Sequence, residues 1–430
     1  MKKINVGIIG FGTVGSGVVK ILEGRSSLLS RRSGVSINIK YVCDADLKSK
    51  RPVKAKNAIL TKDAYKIIND PEIDIVIELM GGIHPAKEFI IAAMKKGKHI
   101  VTANKALLAQ EGKQIFKVAE ECGVDIYFEA SAVAGVPIIK ALREGFAGDK
   151  IEVILGIVNG TCNFILTKMT KDGASFEAAL KDAQLKGYAE SNPALDINGV
   201  DSAHKLVLLT LLSFGRFVKL SDISVEGITD ISANDIDYAK DFGYVIKLLA
   251  IAKLSGGKLE VRVAPTLLPK DHLLANVWDV YNAVLVRADM AGGVLFNGKG
   301  AGSFAAASAV VSDIVDVARN VNSGAVRRLP EYYKNQSDAV LRKISEIESR
   351  YYIRFSVIDK PGVLAKISWV LGKHSISIAS VVQKERKLAK VVPVVIMTHE
   401  AKENELCSAL KEIDKLNVIK AKTVAIRVEK

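Results

Sequence analysis

The chain has four cysteines in 430 residues, Cys43, Cys122, Cys162 and Cys407, and their spacing matches neither a zinc knuckle nor a redox pair. They read as small buried hydrophobes. Aromatic residues make up 6% of the sequence, and no apolar run approaches the roughly 20 residues of a spanning helix. The longest, Leu206 to Phe214, is far too short, so no membrane partner is expected. Histidines are few, and His84, His99 and His204 show no metal-ligand spacing. Lysine and arginine outnumber the acids by 61 to 47, a formal charge of +14. These cations are spread along the chain, with only short clusters such as Lys95-Lys96-Gly97-Lys98 and no aromatic-rich basic stripe. A nucleic-acid partner is therefore not expected, and the excess reads as a solvated surface whose diffuse field would attract a small anionic ligand. Met1-Lys2-Lys3-Ile4 runs straight into a strand pattern, leaving no room for a secretory leader, which predicts a cytoplasmic protein.

What is present is alternation. Ile4 to Ile9 is an apolar strand, Gly10 ends it, and Thr13 to Leu22 is an amphipathic helix. Further strands are predicted over Ser36–Val42, Ile73–Leu79, His99–Thr102 and Asp125–Phe128, with helices over His84–Lys96 and Lys105–Glu120. Strands alternating with helices imply an α/β Rossmann-like, doubly wound parallel sheet. After Glu129 the pattern becomes α+β, with strands over Ile151–Val158, Leu259–Pro265 and Val277–Ala288 and a helix over Phe176–Lys186. A glycine-rich turn at Gly298–Gly302 opens an alanine-rich helix through Arg319, expected to pack back on the first domain; Asn320 to Arg350 reads as linker and helix. The tail shows strands over Tyr351–Ile358, Ile376–Gln383, Lys390–Thr398 and Val418–Val428 and helices over Gly362–Lys373 and Glu403–Leu416, the βαββαβ order of a ferredoxin-like module. Its apolar run Val391–Ile396 suits edge pairing between modules. The predicted domains are 1–129 completed by a helix at 302–320, 130–301, a linker at 321–349, and 350–430.

Gly10-Phe11-Gly12-Thr13-Val14-Gly15 fits the dinucleotide fingerprint, whose glycines allow a tight turn, close backbone approach to a pyrophosphate and close helix packing. The helix N-terminus behind it offers unpaired N–H groups to the phosphates. Asp44, at the end of the second strand, suits a ribose hydroxyl and favours NAD; Lys48, Lys50 and Arg51 nearby leave open a role in receiving the 2′-phosphate of NADP.

The stretch from Ala183 through Gly187, Glu190, Pro193, Asp196, Gly199 and Asp201 to Lys205 resembles the homoserine dehydrogenase signature at every fixed position. Glu78-Leu79-Met80-Gly81-Gly82, Thr102-Ala103-Asn104-Lys105 and Asn159-Gly160-Thr161-Cys162-Asn163 are similar to the same family, so the resemblance runs from the start of the chain to about Arg319. It implies an NAD(P)-dependent oxidoreductase that interconverts L-aspartate 4-semialdehyde and L-homoserine in threonine, methionine and isoleucine biosynthesis, working as a homodimer or homotetramer. Reducing an aldehyde needs a proton donor beside the oxygen that gains charge, and Lys205 can supply it. If Val200–Leu212 is helical, Asp201 lies one turn from Lys205 and can orient its ammonium. A solvated salt bridge is ordinarily the plainer reading of such a pair, but three acidic residues and a glycine pair just upstream argue against it here. By resemblance Lys105 assists catalysis, Gly187, Glu190, Asp196 and Asp201 grip the substrate, and Gly81, Thr102, Lys105 and Gly302 join the glycine turn in holding the cofactor.

Glu129 to Pro137 resembles the family's monovalent-cation loop, which implies a Na+ held by carbonyls of Glu129, Ala132, Ala134 and Val136; an ordinary interdomain hinge is the alternative. Ile358-Asp359-Lys360-Pro361-Gly362-Val363-Leu364 resembles the turn of ACT domains. That implies an amino-acid effector, L-threonine in this family, at Asp359, Gly362, Val363 and Leu364, against the alternative of a purely dimerising module. No kinase-like segment precedes the first strand, so no fused aspartokinase is expected. The rivals are a dehydrogenase of another amino acid, which the Gly187–Lys205 pattern disfavours, and a nonenzymatic sensor, which the presence of both lysines disfavours.

Overall fold

The computed structural model describes residues 2–328, 337–383 and 391–429. The chain forms two compact units, one made of Met1–Val158, Ala203–Ile223 and Tyr281–Asp338, the other of Asn159–Ser202, Ser224–Val280 and Ala339–Lys430.

In the first unit, β1 (Lys3–Ile9), β2 (Ser36–Cys43), β3 (Ile59–Thr61), β4 (Ile75–Glu78), β5 (His99–Thr102) and β6 (Ile126–Tyr127) form a parallel sheet in the order β3-β2-β1-β4-β5-β6. That is the doubly wound order, and its direction reverses between β1 and β4, where such folds open a crevice for ligands. Apolar side chains on both faces explain the choice of parallel strands: Ile4, Val6, Ile8, Ile75 and Ile77 are all buried. The helix Ser303–Ser323 supplies Ala307, Val310, Ile314 and Val317 to this same core, as the alanine-rich pattern predicts. It approaches α1 (Thr13–Gly24) so closely that a Cβ on Gly17 would lie 2.8 Å from that of Ala307. Three antiparallel strands, Ile151–Ile157, Tyr281–Ala288 and Gly292–Lys299, also belong to this unit. The strand expected from Val277 begins only at Tyr281, because Asp279 takes a positive φ and breaks the extension.

The second unit is built on a long hairpin, β7 (Tyr244–Ser255) and β8 (Lys258–Pro269), closed by Gly256-Gly257 with both residues at positive φ. Its tail is a four-stranded antiparallel sheet of β9 (Glu348–Ile358), β10 (Ile378–Val382), β11 (Val391–Thr398) and β12 (Ile419–Val428), with helices Val363–Lys373 and Glu403–Ile413. The order β12-β9-β11-β10 is that of the expected ferredoxin-like module. Val391–Ile396 lies on β11, which pairs with β9 along the whole run and with β10 at Val395 and Ile396, so among the described residues only the end of the run is enclosed on both sides. Between 320 and 350 the described residues carry only the end of the preceding helix, a two-residue strand, a short 3-10 turn and the start of β9 instead of a new helix; residues 329–336 of the expected linker lie outside the described residues.

Asp235 ties the helix Ala233–Asp241 to β9. It closes a capping box with Ser232, accepts from Arg354 Nε and Nη2 at 2.7 and 3.1 Å, and accepts from the Tyr352 hydroxyl at 2.9 Å, all while fully buried. Removing one partner of such a pair leaves an uncompensated buried charge. Asp235→Ala should therefore cost about 3–5 kcal/mol in denaturant unfolding, and a cost below about 1 kcal/mol would show the pair to be dispensable.

Candidate active site

The glycines of the first turn serve three separate ends. Gly10 has φ +106°, and a Cβ there would lie 2.6 Å from the Leu79 carbonyl carbon. A Cβ on Gly15 would lie 2.1 Å from the Gly10 carbonyl oxygen. Gly12 faces open space, and it caps α1 without a side-chain bond and with no acid in the first turn. Unpaired amides and open space at one helix N-terminus make a place for a phosphate. Thr13 is exposed, Val14 half-buried, and Ser303 Oγ donates to the Thr13 carbonyl at 2.9 Å just after Gly302, whose φ is +119°.

Asp44 stands beside this turn, where its Oδ2 accepts from Phe11 N at 2.6 Å and its Oδ1 from Asp46 N at 2.9 Å. Arg51 reaches back to it, with Nη2 3.2 Å from Asp44 Oδ1, Nε donating to the Phe11 carbonyl at 2.6 Å, and the guanidinium 5.0 Å from the Phe11 ring centre. The carboxylate suited to a ribose and the cation suited to a phosphate are thus one assembly. Sequence spacing points to both residues and cannot show their contact.

At the switch point, the buried Glu78 accepts from Thr102 Oγ1 at 2.6 Å, Met80 N at 2.9 Å and Gly81 N at 3.2 Å. Burial pushes its carboxyl above the usual range, against those hydrogen bonds. Asn104 donates to the Gly82 carbonyl at 2.7 Å and caps the helix Lys105–Glu121 through Leu107 N. These bonds fix the two loops after β4 and β5 against each other. Lys105, half-buried, therefore starts its helix at the carboxyl edge of the sheet.

Lys205 lies in the helix Val200–Phe214, is 8% exposed, and donates to the Val158 carbonyl at 2.6 Å. In the second unit the side-chain amide of Asn159 donates to Asp196 Oδ1 at 2.7 Å and Asp201 Oδ2 at 2.9 Å, while its oxygen caps the helix Gly160–Asp172 through Cys162 N. Asn159 does more than its sequence context signals, since an asparagine ahead of a helix indicates a cap and nothing more. Glu190 stands apart from that pair's bonds: it is exposed after Gly187, which has φ +71°, and its carbonyl accepts from Gln184 Nε2 at 3.2 Å. A second missed residue is Lys247, 1% exposed on β7, which donates to Asn163 Oδ1 at 3.1 Å and to the Val277 carbonyl, 4.0 Å from the Trp278 ring centre. Burial pulls its ammonium down to about 7.

The loop after β6 is buried and irregular. Ala132, Ala134 and Val136 have little exposure, Gly135 N donates to the Lys299 carbonyl at 3.0 Å, and the Val136 carbonyl accepts from Ile138 N at 2.7 Å. Glu129 accepts from Ile139 N and Lys140 N at 2.9 and 2.8 Å, and its own N–H donates to Asp313 at 2.7 Å. Burial raises the Glu129 carboxyl to about 7 and that of Asp313 well above its ordinary value. Among the described residues no group of His, Cys, Asp and Glu side chains could hold a metal, so any cation here would rest on carbonyls. The histidines serve elsewhere: His84 contacts Glu88 at 2.6 Å, and His99 Nδ1 accepts from Asp125 N at 3.0 Å.

In the tail, Gly362 has φ +85° and precedes the helix Val363–Lys373. Val363 is buried in the module core, so it offers a ligand only its backbone, whereas Leu364 is exposed. Asp359 lies in the loop between β9 and that turn.

Family models for homoserine dehydrogenase match residues 137–315, for the homoserine dehydrogenase NAD-binding domain residues 10–129, and for the ACT domain residues 351–417. The homoserine dehydrogenase of Neisseria gonorrhoeae is 42% identical over 432 residues, covering 100% of this chain and 99% of the relative. The crystal structure of a homoserine dehydrogenase from Thiobacillus denitrificans is 41% identical, with a TM-score of 0.94 and coverage of 100% and 99%. A hyperthermophilic archaeal homoserine dehydrogenase in complex with NADPH is 28% identical, with a TM-score of 0.62 over 73% of this chain and 97% of its own.

Glu129 makes a pH prediction. Its folded value of about 7 exceeds its ordinary 4.5, so the folded state holds a proton that the unfolded state releases between those values. The stabilisation is complete below about 4.5 and lost as pH rises to about 7, on the order of 3 kcal/mol in all. Relative to Glu129→Gln, the protein should lose stability across that window and run parallel above it. Parallel curves throughout would contradict the shift.

Proposed function

Because the chain belongs to the homoserine dehydrogenase family and so catalyses the NAD(P)-dependent interconversion of L-aspartate 4-semialdehyde and L-homoserine, we propose that Lys205 is its proton-transfer group. As hydride passes to the aldehyde carbon, charge grows on the oxygen, and the Lys205 ammonium delivers the proton; in the reverse direction its amine takes it back. Lys105 is the second cation, holding substrate at the carboxyl edge of the sheet. Asp196, Asp201, Glu190 and the Gly187 turn receive the ammonium of homoserine, and Asp201 also orients Lys205. The observation that carries this reading is the grip of Asn159 on both Asp196 and Asp201, one residue after the carbonyl that holds Lys205.

The nicotinamide cofactor supplies the hydride. Gly10 through Gly15, with Gly81, Thr102, Lys105 and Gly302, hold it, and NAD is the preferred form through Asp44. Arg51, already against Asp44, accommodates the 2′-phosphate of NADP, the form bound by the archaeal relative. Sodium binds the carbonyls of Glu129, Ala132, Ala134 and Val136, a reading supported by their place on a buried irregular loop above two carboxyls. The ACT module takes L-threonine as effector at Asp359, Gly362, Val363 and Leu364, and the enzyme works in the cytoplasm as a homodimer or homotetramer. Among the described residues no helix is long and apolar enough to cross a membrane.

Lys205→Ala should lower kcat for homoserine oxidation by about 10²–10⁴ while leaving the affinity for NAD unchanged. Turnover is read from the absorbance of reduced nicotinamide and affinity from calorimetry. Near-normal turnover would remove Lys205 from the chemistry.

A further inference from the structure

Arg427, near the end of β12, is 5% exposed and stands between two carboxylates. Its Nε and Nη2 donate to Glu403 Oε2 and Oε1 at 2.8 and 2.6 Å, and its Nη1 lies 2.9 Å from Glu226 Oε1. Glu403 opens the helix Glu403–Ile413 and also accepts from the Tyr351 hydroxyl at 2.7 Å, so the guanidinium is fixed from the tail by a two-bond fork. Its remaining nitrogen reaches out of the tail to a half-buried glutamate that follows the two-residue strand Ser224–Val225. A cavity of about 450 Å³ is lined by Glu226, Gly227 and Ile231 from that stretch and by Leu406, Leu410 and Ala425 from the tail, so side-chain packing does not close the gap between them there. Lys422 and Asp230, 3.6 Å apart, also link the two, but both are exposed and water weakens their attraction. Arg427 is buried, and its pairing is correspondingly stronger.

The stretch that Glu226 anchors meets the loop of the substrate carboxylates backbone to backbone. Ile228 N donates to the Ile197 carbonyl at 2.8 Å. A Cβ on Gly227 would lie 2.2 Å from that same oxygen and 2.7 Å from Asn198 Cα, and one on Gly199 would lie 3.2 Å from the Glu226 carbonyl oxygen. Contacts this close leave no room for a side chain between the two stretches, so a shift of one is passed to the other. Asp196 immediately precedes Ile197, and it shares the Asn159 amide with Asp201. All of these residues belong to the second unit.

We propose that Arg427 is a positioning residue for the substrate site: through Glu226 it holds the 226–228 stretch, and so holds Asp196 where the substrate's ammonium is gripped. This rests on that role of Asp196. The ammonium of homoserine lies away from the reacting carbon, so the grip on it is equal in the ground and transition states, and loosening it raises KM while leaving kcat in place.

Glu226→Gln removes the ion pair and keeps the shape of the side chain. In the full-length enzyme it should raise KM for L-homoserine about three- to tenfold, with kcat within about twofold and KM for the nicotinamide cofactor constant. Hydrogen exchange should quicken in residues 196–199 and 226–228. Arg427→Lys combined with Glu226→Gln should raise KM no further than Arg427→Lys alone, because both changes break one link; if Arg427→Lys fails to fold by thermal unfolding, Glu226→Gln decides. The proposal is overturned if Glu226→Gln leaves KM for homoserine unchanged, if it lowers kcat and raises both KM values together, or if exchange at 196–199 is unaltered. Asp196→Ala separates the two readings. A raised KM in that variant with none in Glu226→Gln removes the role of Arg427 alone, whereas an unchanged KM in Asp196→Ala removes the role of Asp196 and this proposal with it.

Discussion

A lysine side chain can serve as a proton donor only if something holds its long, flexible stem with the ammonium in one place. Here one holder is a backbone carbonyl: Lys205, almost wholly buried, donates to Val158 at 2.6 Å. The rest of the assignment follows from that restraint. The proposed grip on the substrate's ammonium needs carboxylates held in place, and Asn159 bonds Asp196 and Asp201 with a single amide. Hydrogen bonds to charged groups are stronger than those between neutral ones, so one asparagine is sufficient.

The cofactor end of the fold is governed by space more than by charge. Gly10 and Gly15 cannot carry a side chain because backbone atoms already stand where a Cβ would go, whereas Gly12 faces open space. Glu78 then locks the loops after β4 and β5 from within the sheet, although burial disfavours its charge. A carboxyl placed at such cost in the core of a sheet edge is there to fix backbone, and the backbone it fixes carries Thr102, Asn104 and Lys105.

Much of this was legible in the sequence, and the boundary between what was and was not is physical. The parallel sheet followed from apolar runs punctuated by glycine, and the tail from six alternating elements, because periodicity is a local signal. The family and its chemistry followed from a spaced pattern ending at Lys205. What stayed hidden were contacts of residues far apart in the chain. Arg51 lying on Asp44 and Phe11, Asp235 receiving Arg354 and Tyr352 from more than a hundred residues away, and Lys247 bonded to Asn163 leave no periodic trace. The strand at Val391–Thr398 shows the same boundary: strand order, which no local pattern encodes, encloses its end from Val395 between β9 and β10.

The central claim is that one amine transfers the proton, and chemical rescue tests it most directly. Lys205→Ala would be assayed for homoserine oxidation in the presence of small primary amines at fixed pH, with cofactor and homoserine binding confirmed independently. The account predicts a residual rate that rises with the concentration of free amine and falls for amines too bulky to enter. A variant that binds both ligands but whose rate ignores every amine, or that needs none, would contradict it.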